Sequence, residues 1–166
     1  MMNTSKIAFR EIQPHELSRL EDFLYEAIYQ PDKDNQLPRE VIKAPKISVY
    51  IDNFGKQNND YCLIADLEGN LIGAVWVRIL AGEIKGYGNI DAQTPEFAIS
   101  LLKEYRNQGI GTLLMLKMID YLKNKGYAQC SLSVQKANYA AKIYQKLGFE
   151  IVKERDEEYL MLLKLR

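Results

Sequence analysis

The chain has 166 residues, 47% hydrophobic and 27% charged, and its 22 Lys+Arg balance its 22 Asp+Glu. That composition suits one soluble domain spanning residues 1–166, and it supplies no net basic field for nucleic acid or an anionic membrane. No apolar run approaches the ~20 residues of a membrane span. The opening stretch MMNTSKIAFREIQ has no signal-like apolar segment. With only Cys62 and Cys130, the expectation is a reduced, cytoplasmic protein without a disulfide framework.

KIAFREI (6–12) alternates as a half-buried strand does. Over 14–30, Leu17, Leu20, Leu24 and Ala27 share one helical face behind Pro14, which predicts a helix. QPDKDNQLPREVIKAP (30–45) carries three prolines and reads as a loop leading into a short irregular helix. KISVYIDNFGKQNND (46–60) is ambiguous; a second helix running to about Gly55 is one reading. YCLIAD and LIGAVWVRIL flank the turn LEGN as a hairpin. The connection AGEIKGYGNIDAQTP (81–95) is rich in glycine and acid residues, and loops of that length in compact domains tend to be functional. EFAISLL (96–102) is the next strand. A helix over 109–125 follows, with Ile110, Leu114, Met118 and Leu122 on its buried stripe and Gly126 past its end. AQCSLSV (128–134) is a strand and NYAAKIYQKL (138–147) a helix capped by Gly148. EIVKER and YLMLLKL close the chain as two strands. Hairpins pair antiparallel, and the strand–helix–strand unit 96–134 adds one parallel pair, so the fold class is α/β with a mixed sheet.

The residue inventory removes several chemistries. His15, the one histidine, stands beside Pro14 and reads as a surface residue near a helix start, so Ser-His-Asp or Cys-His machinery has little to rest on. Cysteine and histidine spacing gives no zinc signature, and no metal is expected. The stretch EYRNQGIGT (104–112) is more suggestive. Gly109 and Gly111 leave backbone N–H groups bare at a helix mouth, where the dipole adds about half a positive charge. Thr112 contributes a hydroxyl, and Arg106 a charge. A Walker loop would need Lys before its Ser/Thr, and a dinucleotide fingerprint would need glycine where Leu114 stands. On this stretch alone, a phosphate cradle and a plain tight turn both remain open.

A second stretch joins it. PEFAISLLKEYRNQGIGTLL, then CSLSV, then NYAAKIYQKLGFE and a closing hairpin together resemble the GNAT superfamily of acyl-CoA N-acyltransferases. Arg106, Gly109 and Gly111 meet its Arg/Gln-x-x-Gly-x-Gly/Ala signature. Asn138, Ala141, Tyr144, Gly148 and Phe149 meet its Asn-x-x-Ala-x-x-Tyr-x-x-x-Gly-Phe signature. The likeness covers residues 60–165, with 1–58 in the superfamily's variable part. The connection is also similar to a bacterial branch that reads Gly-Tyr-Gly before a Thr-Pro-Glu strand.

The resemblance implies a single domain with a mostly antiparallel sheet of about 6–7 strands, a central splayed parallel pair and about four helices. It implies acetyl-CoA as co-substrate. Arg106, Asn107, Gln108, Gly109, Ile110, Gly111 and Thr112 would take the pyrophosphate. Backbone groups near Ile99 and Leu101 would hold the pantetheine arm, with the Leu101 N–H facing the thioester oxygen. Asn138 and Ala141 would lie along the cofactor; Asn138 fits a helix cap equally well. Tyr144 would protonate the departing thiolate, a step suited to a phenol with a pKa of ~10.

Glu96 is the candidate base, acting directly or through water; a strand-edge residue or a partner for Arg78 is the alternative. The superfamily's better-known glutamate position falls on Gln93. Asp91 and Glu83 would add negative potential for an ammonium group. The expected function is N-acetyl transfer from acetyl-CoA to a primary amine, a small cationic acceptor, by direct attack in a ternary complex. The partners are then a small-molecule amine and neither nucleic acid nor membrane, with a homodimer left open. The rival reading is a non-catalytic acyl-CoA-binding module of the same fold.

Overall fold

The computed structural model describes residues 3–166. Its centre is a hairpin of two strands buried on both sides, β2 (Tyr61–Leu67) and β3 (Asn70–Arg78). Cys62, Ile64, Leu71, Ala74 and Trp76 belong to one apolar cluster, while Leu63, Ala65, Ile72, Val75 and Val77 belong to the other. Strands covered on both faces lose the polar alternation of an exposed sheet, which is why LIGAVWV reads as an unbroken apolar run. Each fully buried Leu, Ile or Phe side chain contributes about 1.5–3 kcal/mol.

Around this hairpin the sheet has seven strands in the order β1-β2-β3-β4-β5-β7-β6. The others are β1 (Ile7–Glu11), β4 (Glu96–Leu101), β5 (Gln129–Gln135), β6 (Glu150–Glu154) and β7 (Glu158–Lys164). All neighbours run antiparallel except β4 and β5. One face carries α1 (Leu20–Ala27) and α2 (Pro45–Ser48); the other carries α3 (Ile110–Asn124) and α4 (Ala140–Lys146). The expected mixed sheet with one parallel pair and four helices is what the chain forms.

The parallel pair matters most. Its register consists of the Glu96–Ser131 pair, with the Ser131 N–H donating to the Pro95 carbonyl at 3.0 Å. Beyond that pair the two strands part. Backbone groups of alternate residues face opposite neighbours. Pro95 turns its carbonyl to β5, whereas the Leu102 N–H turns the other way, to Ile72 O at 2.9 Å. Phe97, Ile99 and Leu101 therefore face the widening gap.

Two expectations need correction. The helix expected over 14–30 is a 3-10 segment at Pro14–Arg19 followed by the α-turns of α1. Glu16 is drawn back to the Gln13 N–H and to Arg10, both at 2.9 Å, which tightens the first turns. At Ile28 the backbone turns extended (ψ 122°), two positions before the residue that precedes Pro31 and so disfavours helix. The helix considered for 46–55 is only the four residues of α2, followed by turns. Val49 O and Asp52 O, which a continuing helix would need, accept from the Arg78 guanidinium at 2.9 and 2.8 Å. Tyr50 O accepts from the Trp76 indole at 3.0 Å. Among the described residues, no helix is long and apolar enough to cross a membrane.

Candidate active site

The gap between β4 and β5 opens into a cavity of about 390 Å³. Ile28 and Tyr29 from the chain after α1, Tyr50 from the segment after α2, and Tyr87 from the 81–95 connection line it. So do Glu96 and Ile99 on β4, Ser133 and Val134 on β5, and Asn138 and Tyr144 at α4. Two clasps close its rim. The Tyr29 hydroxyl donates to Ala137 O at 3.0 Å. Arg155 donates to Tyr87 O and to Glu158 Oε1, each at 2.8 Å, while Ser133 Oγ donates to Glu158 Oε2 at 3.0 Å.

Glu96 is neither a strand-edge residue nor a partner of Arg78. It is 3% exposed, and Arg78 instead forms a buried bidentate pair with Asp60, both contacts at 3.0 Å. Glu96 Oε2 accepts from the Tyr50 hydroxyl and from the Gly88 N–H at 3.0 Å. Oε1 is buried without a hydrogen-bond partner. Burial pushes the carboxyl up to about 7, against the hydrogen bonds from Tyr50 and Gly88 and the charge of Arg155. A carboxyl poised there can take a proton near neutral pH.

The Gly-Tyr-Gly of the connection is shaped around this group. A Cβ on Gly86 would stand 2.1 Å from Glu96 Oε1, and one on Gly88 would stand 2.9 Å from backbone atoms of Leu132 and Ser133. Asp91 and Glu83 do not join the cavity. Asp91 Oδ1 caps its own turn, accepting from the Gln93 N–H at 2.9 Å and the Thr94 hydroxyl at 2.7 Å, and Glu83 lines an open groove outside.

Tyr144 is half-buried, its ring edge-on to Phe149 with centroids 6.1 Å apart. The aromatic of the Gly-Phe pair thus fixes the ring of the tyrosine. Burial pushes its phenol up to about 12, so it stays protonated at neutral pH. Asn138 acts as a cap, its Oδ1 accepting from the Ala140 N–H at 3.0 Å, and it also lines the cavity. Ala141 is buried in the core beneath.

Residues 106–112 stand apart from the cavity, at the mouth of α3. Asn107 (φ 63°) and Gly109 (φ 84°) are both left-handed; this curls the loop so that the first turn of α3 is open at its N-terminus. A Cβ on Gly109 would meet nothing within 4 Å, and one on Gly111 only Leu101 Cδ1 at 3.8 Å. The space over the helix mouth is empty, as a phosphate cradle requires. Arg106 is partly engaged by the protein itself: it donates to Glu26 Oε2 at 2.9 Å and to Leu101 O at 3.2 Å. Gln108 donates to Glu104 O at 3.2 Å.

Tyr50, Tyr87 and Gly88, the groups that hold Glu96, were not legible as site residues; the Gly-Tyr-Gly run was the one signal for Tyr87 and Gly88, and Tyr50 had none.

Comparison with known proteins agrees with this architecture. The chain is 40% identical over 63 residues to the ribosomal protein bS18-alanine N-acetyltransferase of Haemophilus influenzae, covering 38% of this chain and 43% of that one. It is 40% identical over 52 residues to N-alpha-acetyltransferase 30 of Schizosaccharomyces pombe, covering 31% and 35%. The matches thus span less than half the length of these curated relatives. The PaiA N-acetyltransferase of Thermoplasma acidophilum, solved with coenzyme A, shares the fold with a TM-score of 0.65 at 21% identity, over 95% of this chain and 98% of that one. The model of the acetyltransferase (GNAT) family matches residues 21–149, and the chain belongs to that family.

Proposed function

We propose that the chain is an acetyl-CoA-dependent N-acetyltransferase acting on a primary amine, with a small cation as acceptor. One observation carries the reading: Glu96 and Tyr144, a candidate base and a candidate acid, line one cavity in the gap of the parallel pair. The fit of the co-substrate rests on the uncovered helix mouth at Gly109 and Gly111. Residues 106–112 and the backbone of Ile99 and Leu101 would hold it, and when bound it supplies an acyl group activated as a thioester.

The chain's own groups do the rest. An amine reaches the cavity as an ammonium ion and must lose a proton to gain a nucleophilic lone pair; Glu96 accepts that proton. The Leu101 N–H offers a donor for the oxygen that gains charge. The Tyr144 hydroxyl gives a proton to the sulfur that leaves. Tyr29, Tyr50 and Tyr87 line the cavity that the cation would enter.

The test is release of free CoA thiol with a panel of amines, including polyamines, amino acids and peptides with free N-termini. Amine-dependent release is expected. Tyr144→Phe should lower kcat by ~10² or more with CoA affinity nearly intact. Tight CoA binding without release across the panel would instead favour the non-catalytic module.

A further inference from the structure

Glu96 has two oxygens in unlike surroundings. Oε2 receives two hydrogen bonds, from the Tyr50 hydroxyl and the Gly88 N–H; Oε1 receives none. The direction of the Tyr50 bond is fixed as well. The Tyr50 oxygen accepts from the Tyr87 N–H at 2.8 Å, and an N–H can only donate. The phenol hydrogen is therefore left to point at the carboxylate. Both donors are thus directed at Oε2, as a charged carboxylate requires.

We propose that Tyr50 is a positioning residue that, held by the Tyr87 N–H, donates to Oε2 of Glu96 and thereby holds the carboxylate in the charged form that takes the acceptor's proton. The proposal rests on the reading of Glu96 as base. In the step, the N–H bond of the ammonium breaks, its electron pair stays on nitrogen, and the proton bonds to the Glu96 carboxylate.

The segment bearing Tyr50 is itself braced. Trp76 holds its carbonyl, and Arg78 holds Val49 O and Asp52 O on either side. The other charged groups near the carboxyl are Arg155 and Glu158, from the β6–β7 hairpin, paired with each other at 2.8 Å. Arg78, opposite Glu96 in the register of β3 and β4, is neutralised by Asp60. The remaining titratable groups of the cavity are the phenols of Tyr29, Tyr87 and Tyr144.

A hydrogen bond to a carboxylate favours its charged form, so removing the Tyr50 hydroxyl raises the Glu96 midpoint. Tyr50→Phe keeps the ring and loses the donor. Isotope-edited infrared titration of the purified full chain reads the carboxyl directly, with Glu96→Gln assigning the band. The expected result is a midpoint near 7 in the wild type, raised by about one unit or more in Tyr50→Phe. Once an acceptor is known, the acidic limb of kcat/KM should move by the same amount, with the plateau above it near wild type. Below the limb the loss is then about tenfold.

A merely structural role would lower the plateau and leave the limb in place. Should Tyr50→Phe fail to fold, 3-fluorotyrosine at position 50, a stronger donor, must move the midpoint down. An unmoved midpoint in the folded variant overturns the proposal. An unchanged pH profile in Glu96→Gln, with the infrared shift still present, overturns the base reading instead.

Discussion

Two Gly-x-Gly stretches, one against Glu96 and one at the mouth of α3, have glycine for opposite reasons. At 86–88 a Cβ would collide with the Glu96 carboxylate or with the backbone of β5, at 2.1 to 2.9 Å. At 109–111 it would meet nothing, or one methyl at 3.8 Å. The first pair is filled from inside, by the protein's own functional group. The second is not required by internal packing. Gly109 has a conformational need for glycine (φ 84°), but Gly111 sits in the first turn of an α-helix, where glycine is about 1 kcal/mol less favourable than alanine. Space preserved at a stability cost and unused by the chain itself is what the proposed phosphate site needs.

The largest expected effect removes what the first pair encloses. The folded-state Glu96 carboxyl is raised from 4.5 to about 7, so in that window the folded chain binds a proton that the unfolded chain does not. Wild-type stability from this group is highest below about 4.5 and is lost as pH rises to about 7. A glutamine side chain at this position mimics the protonated acid and does not titrate. Glu96→Gln should match wild type at a pH of about 4.5 and exceed it by about 3 kcal/mol at a pH of about 8, read by urea denaturation at the two pH values. Equal differences at both would show that the carboxyl is not held neutral by burial.

Next comes Gly88→Ala. Its new methyl meets backbone atoms that cannot rotate away, and overpacking of that kind costs about 1–3 kcal/mol. A lowered Tm is the expected outcome, and an unchanged one would mean the connection moves aside. The smallest effects come from the second pair, where stability and affinity should separate. Gly111→Val should weaken CoA binding at least tenfold, about 1.4 kcal/mol, by calorimetric titration of a protein that melts no lower than wild type. Gly111→Ala should raise stability by about 0.5–1 kcal/mol while weakening CoA. If either binds CoA as well as wild type, the mouth of α3 is not the phosphate site.

The contrast also explains what the sequence made legible. The 106–112 loop and the Asn138–Phe149 stretch are local, so their residue spacing shows directly which backbone groups a helix start exposes and which side chains share a turn. The sheet was legible for a similar reason: period-2 runs and Gly/Asn turns identify hairpins, and a strand–helix–strand unit can close only as a parallel pair. Glu96 stood out as a carboxylate at the head of a strand. Its setting did not, because the hydroxyl that holds it lies 46 positions away, in a stretch with no helical or strand period. That stretch takes its form from outside, from Arg78 and Trp76 occupying its carbonyls. The engagement of Arg106 was hidden for the same reason: its partner Glu26 is 80 positions away, and charge alone did not show that contact.

Trp76 has a further consequence. It is the chain's only tryptophan, fully buried, and its indole N–H is bonded to the backbone of Tyr50. The molecule therefore carries one indole fluorophore, and it is tethered to the residue that steadies the proposed base. An acceptor that displaced the 49–52 segment would stretch that tether and change the emission, which would make occupancy of the proposed amine side readable without a label or turnover.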